Sequence, residues 1–157
     1  MMRIRPALET DWPQVGRLLR ATGVFSPEEI EVARELFELS TAGSRDYTFL
    51  VATEDDETIS GLTCWGAVPI TRGTFDLYWI AVDPARGRGG QGGRLLDRVE
   101  EDVKKQGGRL LVAETSSRAV YRPARSFYFR RGFTQAAVIP DYYAPGDELV
   151  IFTKRLD

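Results

Sequence analysis

Apolar and polar positions alternate along the chain in a way that marks out six to seven extended segments and about four helical ones. Arg3-Ile-Arg-Pro reads as a short edge strand. Thr10 or Asp11 then caps a helix with Pro13 in its first turn, Val15, Leu18 and Leu19 on one face, and Gly23 at its end. Ser26-Pro-Glu-Glu starts a second helix, which Ile30, Val32, Ala33, Leu36, Phe37 and Leu39 carry to about Ser40. Residues 47–53 and 58–68 are rich in β-branched and aromatic types and flank the polar Glu54-Asp-Asp-Glu, so they predict an antiparallel hairpin.

Residues 74–82 show little alternation, which predicts a strand buried on both faces in mid-sheet. A helix over about 90–106 follows, stopped by Gly107-Gly108, and Arg109-Leu-Leu-Val-Ala-Glu-Thr gives the next strand. Strand, helix and strand in that order imply a right-handed parallel crossover. A helix over about 120–131 ends at Gly132, and residues 133–139 and 149–154 form a last strand pair around a loop at 140–147. The expected fold is α/β, with a mixed sheet in one domain spanning residues 1–157, a length that can bury its own core.

Composition narrows the chemistry. The chain has no histidine, which removes Ser-His-Asp and Cys-His catalysis and His-ligated metal, and leaves carboxylates, tyrosines, lysines and backbone dipoles. No metal site is expected. Cys64, the single cysteine, excludes an internal disulfide and reads as a small core residue. A formal net charge of -2 argues against nucleic acid as partner. With no long apolar run and no apolar stretch in residues 1–20, neither a membrane span nor a signal peptide is expected, so the expected location is the cytoplasm.

Five glycines fall within Gly87-Arg88-Gly89-Gly90-Gln91-Gly92-Gly93, between a strand pattern and a helix start. Glycine lets backbone approach a ligand, and the free N–H groups and dipole of a helix N-terminus favour an anion. Arg86, Arg88 and Arg94 add positive charge. Gly87, Gly89 and Gly92 also spell the G-x-G-x-x-G of a dinucleotide site, with Glu114 about 20 residues on, but only 65 residues follow the loop, too few for that fold. No Gly-Lys-Ser/Thr follows, which excludes a P-loop.

Val82-Asp-Pro-Ala-Arg-Gly-Arg-Gly-Gly-Gln-Gly-Gly-Arg-Leu-Leu resembles the acetyl-CoA pyrophosphate loop of the GNAT N-acetyltransferase superfamily. Ala124-x-x-Phe127-Tyr128-x-x-x-Gly132-Phe133 resembles the superfamily's later helix-to-strand signature, and with Arg5-Pro-Ala-x-x-x-Asp11 the likeness covers essentially the whole chain. It departs from the pattern at Gly87, where Gln or Arg is usual, and at Tyr121, where Asn is frequent. The resemblance implies an acyl-CoA N-acyltransferase fold: a mostly antiparallel sheet with one splayed parallel pair. It also implies acetyl-CoA as acetyl donor and the primary amine of a small molecule, amino acid or peptide as acceptor. Homodimers are common among its members.

By the same resemblance, the coenzyme lies against Ile80, Ala81, Val82, Arg86, Gly87, Arg88, Gly89, Gly90, Gln91, Gly92, Gly93, Tyr121 and Arg125, in a cleft between residues 79–82 and 112–115. The amine attacks the thioester directly, with Tyr128 as general acid and the backbone N–H of Val82 or Ala81 as oxyanion donor. Asp76, sharing strand parity with Tyr78, Ile80 and Val82, is the first choice of base, and Glu114 the second. Asp141, Tyr142, Tyr143, Asp147 and Glu148 at the acceptor mouth suit a cationic amine, or form an ordinary solvated hairpin. Two other functions stay open: a non-catalytic acyl-CoA sensor module and a nucleotide-binding oxidoreductase.

Overall fold

In the computed structural model, which describes residues 1–86 and 89–157, the chain runs β1 (Arg3–Pro6), α1 (Trp12–Ala21), α2 (Pro27–Thr41), β2 (Thr48–Thr53), β3 (Ile59–Ala67) and β4 (Thr74–Val82). It continues through α3 (Gln91–Lys105), β5 (Leu110–Ser116), α4 (Arg122–Arg130), β6 (Thr134–Ala144) and β7 (Asp147–Arg155). The seven strands make one sheet in the order β1-β2-β3-β4-β5-β7-β6. Every neighbouring pair is antiparallel except β4 and β5. The expected mixed α/β architecture is therefore present, and the parallel sheet that a dinucleotide fingerprint needs is not.

Local chemistry explains the helix starts. At α2 the Glu29 N–H donates to Ser26 Oγ at 3.1 Å and the Ser26 N–H donates back to Glu29 Oε1 at 3.0 Å, a complete capping box. At α1 the Asp11 carboxylate caps no helix amide. It accepts instead from the Leu8 N–H at 2.7 Å and from both Arg5 guanidinium nitrogens at 2.7 and 3.0 Å, tying β1 to the head of α1.

Two apolar layers sandwich the sheet. On one face Leu50, Trp65, Phe75, Leu77 and Phe152 pack against Leu95, Leu96 and Val99 of α3 and Tyr128 of α4. On the other, Phe49, Val51, Leu62 and Cys64 pack against Leu18 and Leu19 of α1 and Phe37 of α2. Cys64 is a core residue whose thiol pKa burial pushes up to about 12, in keeping with a structural role.

Three expectations need correction. Strand β4 is not uniformly buried: Cys64 pairs with Trp79 and Trp65 with Leu77, so Tyr78 is an extra residue in a β-bulge. The bulge resets the alternation. Phe75 and Leu77 bury toward α3 and α4, whereas Trp79 and Ala81 bury toward α1 and α2. Second, the helix expected over 120–131 is a 3-10 turn (Ala119–Tyr121) followed by α4, because Pro123 in the first turn of α4 has no N–H to extend the helix backward. Third, β6 runs on through Pro140 to Ala144, leaving a turn only at Pro145-Gly146. Strand β6 is the sheet edge, where a proline costs no ladder bond.

Among the described residues no helix is long and apolar enough to cross a membrane.

Candidate active site

Strands β4 and β5 stay paired from Thr74↔Leu110 to Leu77↔Ala113 and then part. The expected cleft between residues 79–82 and 112–115 thus opens slightly later on β5, since Val112 and Ala113 are still in register. The Asp83 N–H bonds to Ser60 O on the β3 side at 2.9 Å. Strand alternation then turns the peptide groups of Ala81 toward β3 and those of Ile80 and Val82 into the fork. Ala81 as oxyanion donor is therefore corrected: its N–H faces the sheet and its side chain is buried.

A cavity of about 580 Å³ fills the fork and reaches both faces of the sheet. Its walls come from residues 76–82 of β4, Glu114, Thr115 and Ser116 of β5, and Tyr121, Ala124 and Tyr128 around α4. Thr22, Val24, Phe25 and Glu29 between α1 and α2 close one side, and Tyr143 and Asp147 of the last hairpin close another. Phe25, whose ring meets Trp79 edge-on at 5.0 Å, went unmarked by pattern, because a lone aromatic in a helix connection has no periodic context. Glu29 was legible only as a cap, and it also accepts from the Tyr121 hydroxyl at 3.4 Å.

Asp76 and Glu114 both line the cavity. Burial pushes the Asp76 carboxyl above the usual carboxylate range, the Glu114 charge adds to that, and the Tyr78 hydroxyl beside it pulls the other way. Strand parity, the basis for choosing Asp76, breaks at the bulge. Asp76 lies on the α1/α2 face, while Ile80 packs on the α3/α4 face and Val82 comes near Gly92 there. The two carboxylates share a face all the same, since Asp76 is level with Val112 and Glu114 lies two residues on. Burial and the Asp76 charge hold the Tyr78 phenol at about 12.

Tyr128 is buried, and its ring packs on Phe133 at 5.2 Å and Phe152 at 5.4 Å. Burial pushes its pKa well above that of a free phenol. It nonetheless reaches the cavity wall from α4. Tyr121 also lines the cavity, its phenol held at about 12 by burial and then by Glu29. Arg125 is turned away: its guanidinium donates to Ser116 O at 2.6 Å and Arg118 O at 2.9 Å, joining the end of β5 to α4.

Beyond the fork, Asp83 is buried and builds the turn after β4. Its Oδ1 accepts from the Ala85 N–H at 3.0 Å and its carbonyl from the Arg86 N–H at 2.9 Å. Gly87 and Arg88 lie outside the described residues. Gly90, at φ 76°, turns the chain into α3, a conformation that glycine adopts without strain. The Arg94 N–H reaches Gly90 O at 3.1 Å as the first helical bond, so the amides of Gln91, Gly92 and Gly93 precede the α3 ladder. Gly89, Gly92 and Gly93 therefore present backbone rather than side chains. Gln91 turns its buried side chain inward, donating to Arg86 O at 3.4 Å.

Two of the arginines expected to add charge there, Arg86 and Arg94, point elsewhere. Arg86 faces Asp56 at 3.6 Å and Arg94 donates to Met2 O at 3.3 Å. Among the described residues, what the turn offers an anion is a set of amides ahead of the ladder at the positive end of a 15-residue helix. Among the described residues no cluster of three or more His, Cys, Asp or Glu is placed to hold a metal ion.

The family model described as acetyltransferase (GNAT) domain matches residues 45–135. A GNAT-family protein of solved structure from Desulfovibrio desulfuricans is similar over 100% of both chains, with 43% identity and a TM-score of 0.93. The ribosomal-protein-S18-alanine N-acetyltransferase of Escherichia coli shares the fold at a TM-score of 0.80 and 21% identity, over 100% of this chain and 95% of that one. The PaiA N-acetyltransferase of Thermoplasma acidophilum, solved in complex with coenzyme A, shares it at 0.76 and 20% identity, over 99% of each chain. No curated protein matches the chain in sequence. With the family model spanning more than half of the chain and a relative aligned from end to end, this chain belongs to the GNAT family of acetyltransferases.

Proposed function

We propose that the chain, acting as one domain over residues 1–157, transfers the acetyl group of acetyl-CoA to a primary amine by direct attack. The observation that carries this reading is the cavity through the β4–β5 fork, walled from both faces and bounded by Val82, whose side chain comes near Gly92 at the start of α3. On this reading the fork holds the coenzyme's extended arm between β4 and β5, with its diphosphate on the helix N-terminus and its thioester at the branch point. The acceptor comes in from the α1/α2 face, where Asp76 and Glu114 lie.

The steps balance without a covalent enzyme intermediate. Asp76, or a water it holds, takes a proton from the acceptor ammonium, and the amine nitrogen forms a bond to the carbonyl carbon. The N–H groups of Ile80 and Val82 face the developing oxyanion. As the C–S bond breaks, the Tyr128 hydroxyl donates to the departing thiolate, and the second proton that the nitrogen sheds on becoming an amide returns to Tyr128 through water. A phenol with a pKa above the ordinary 10 keeps its proton at any working pH, so it stays poised as a donor. The carboxylate, raised in pKa, is a stronger base than an exposed aspartate.

Thermal denaturation with ligands tests the first half of the reading. Acetyl-CoA raises the melting temperature and NAD does not, because only a ligand of the folded state stabilises it. Thiol release with a panel of amines tests the second half. Stabilisation by acetyl-CoA without turnover of any amine would instead mark a sensor module, and stabilisation by NAD alone would overturn the reading.

A further inference from the structure

The acceptor half of the cavity carries far more negative than positive charge. Among the described residues, Glu29, Asp76, Glu114 and Asp147 line it against one guanidinium, Arg118, which offsets part of the rise in the Tyr121 pKa. These carboxylates are strung out along the site. Asp76 is level with Val112 on β5, Glu114 lies two residues further on, and Ser116, whose hydroxyl donates to Asp147, lies two further again. At about 3.3 Å per residue, Glu114 and Asp147 stand roughly 7 and 13 Å beyond Asp76.

Their bonding capacity is only partly used. Glu29 spends one oxygen on the Ser26 N–H and the other faces the Tyr121 hydroxyl. Asp147 accepts from Ser116 through Oδ1 alone, and no described residue hydrogen-bonds to the Glu114 side chain. Burial, and then the nearby Glu114, Asp147 and Glu29 charges, hold the Tyr143 phenol at about 12. An aromatic wall flanked by underused carboxylates suits an alkylammonium group.

Resting on the acetyltransferase reading above, we propose that the acceptor is an aliphatic di- or polyamine. The amine that reacts lies at Asp76, beside the thioester. A second ammonium, some 7 to 13 Å away, is held by Glu114 and Asp147 against Tyr143. That second charge relieves the mutual repulsion of the carboxylates, which a monoamine or an acidic acceptor leaves in place.

Thiol release with acetyl-CoA, comparing pentylamine, 1,5-diaminopentane and spermidine at one pH, tests this. The di- and triamine should exceed pentylamine in kcat/KM by about tenfold or more, an advantage that shrinks between about 0.05 and 0.5 M salt. Asp147→Asn should cut the diamine-to-monoamine ratio severalfold, chiefly through KM. Glu114→Gln supplies the same comparison if that variant does not fold. Calorimetric titration of spermidine into protein saturated with coenzyme A reads binding without turnover, and heat that salt abolishes is expected.

Equal kcat/KM for mono- and diamines, a ratio untouched by both substitutions, or turnover of a peptide N-terminus ahead of spermidine would each overturn the diamine assignment while leaving the acetyltransferase reading intact. If acetyl-CoA stabilises the protein but no amine is turned over, spermidine that gives no heat overturns it as well. Failure of acetyl-CoA to bind at all removes both.

Discussion

Replacing Asp76 by asparagine keeps the shape of the side chain and removes its charge, which separates catalysis from packing. A positioned general base contributes about 10² to 10⁴ in rate. Asp76 is only half-buried and Glu114 stands near it, so water and the second carboxylate can partly stand in, and the expected loss in kcat/KM is about 10²-fold, near 2.7 kcal/mol. Stability moves the other way. The folded-state pKa of Asp76 is raised, so the folded protein holds this proton more tightly than the unfolded chain, and wild-type stability falls as pH climbs through the carboxylate range. The Asp76→Asn variant would lack that slope and gain up to about 1 kcal/mol at neutral pH, or roughly 2–4 °C in melting temperature, a figure kept small by solvent screening. The assay pairs thiol-release kinetics against pH with melting curves at pH 4 and pH 7. The rising limb of the wild-type kcat/KM profile should lie above the range of a free aspartate. Asp76→Asn turning over within threefold of wild type, or melting lower at pH 7, would refute both the assignment and the electrostatics behind it.

Other substitutions probe other parts of the molecule. Tyr128→Phe keeps the ring stack on Phe133 and Phe152, so melting should stay within about 1 kcal/mol of wild type while kcat falls about 100-fold, read by thiol release. Asp11→Ala strips Arg5 and the Leu8 N–H of their acceptor and should cost about 3 kcal/mol by urea unfolding at pH 7. Burial alone would raise the Asp11 pKa, but the Arg5 and Leu8 hydrogen bonds hold it below the usual value; its contribution is thus full above the ordinary aspartate range and lost as pH falls through the folded value. Gly66→Ala would drive a methyl into the Asp46 carbonyl oxygen and to 3.3 Å from the Tyr78 ring, so it should destabilise by about 3 kcal/mol and disturb the bulge, seen as joint loss of melting temperature and kcat.

The elements that periodicity and caps define were legible. Ser26 with Glu29 fixes the start of α2, Gly23 and Gly132 sit at positive φ after α1 and α4, and 74–82 is a strand with those bounds. What pattern could not carry was set by partners distant in sequence. The bulge at Tyr78 depends on how β3 pairs with β4, and it moves Asp76 to the face opposite Ile80 without changing a single local propensity. Edge position let β6 run through Pro140, where the same residue in mid-sheet ends a strand. Arg94 was expected to add charge at the glycine turn and Arg125, by resemblance, to lie against the coenzyme, yet each guanidinium serves backbone carbonyls. Their long side chains choose among acceptors that only the folded backbone brings near. Tyr128, in contrast, was marked by its place in a motif, and the fold puts it at the cavity wall.

The sharpest single test is a crystal structure of the protein with acetyl-CoA. The diphosphate should rest on the amides of residues 91–93, the arm should lie between β4 and β5 beyond Leu77, and the thioester sulfur should come within about 3.5 Å of the Tyr128 hydroxyl. Coenzyme bound away from the fork, or sulfur turned from that hydroxyl, would contradict the acetyl-transfer geometry proposed for this site.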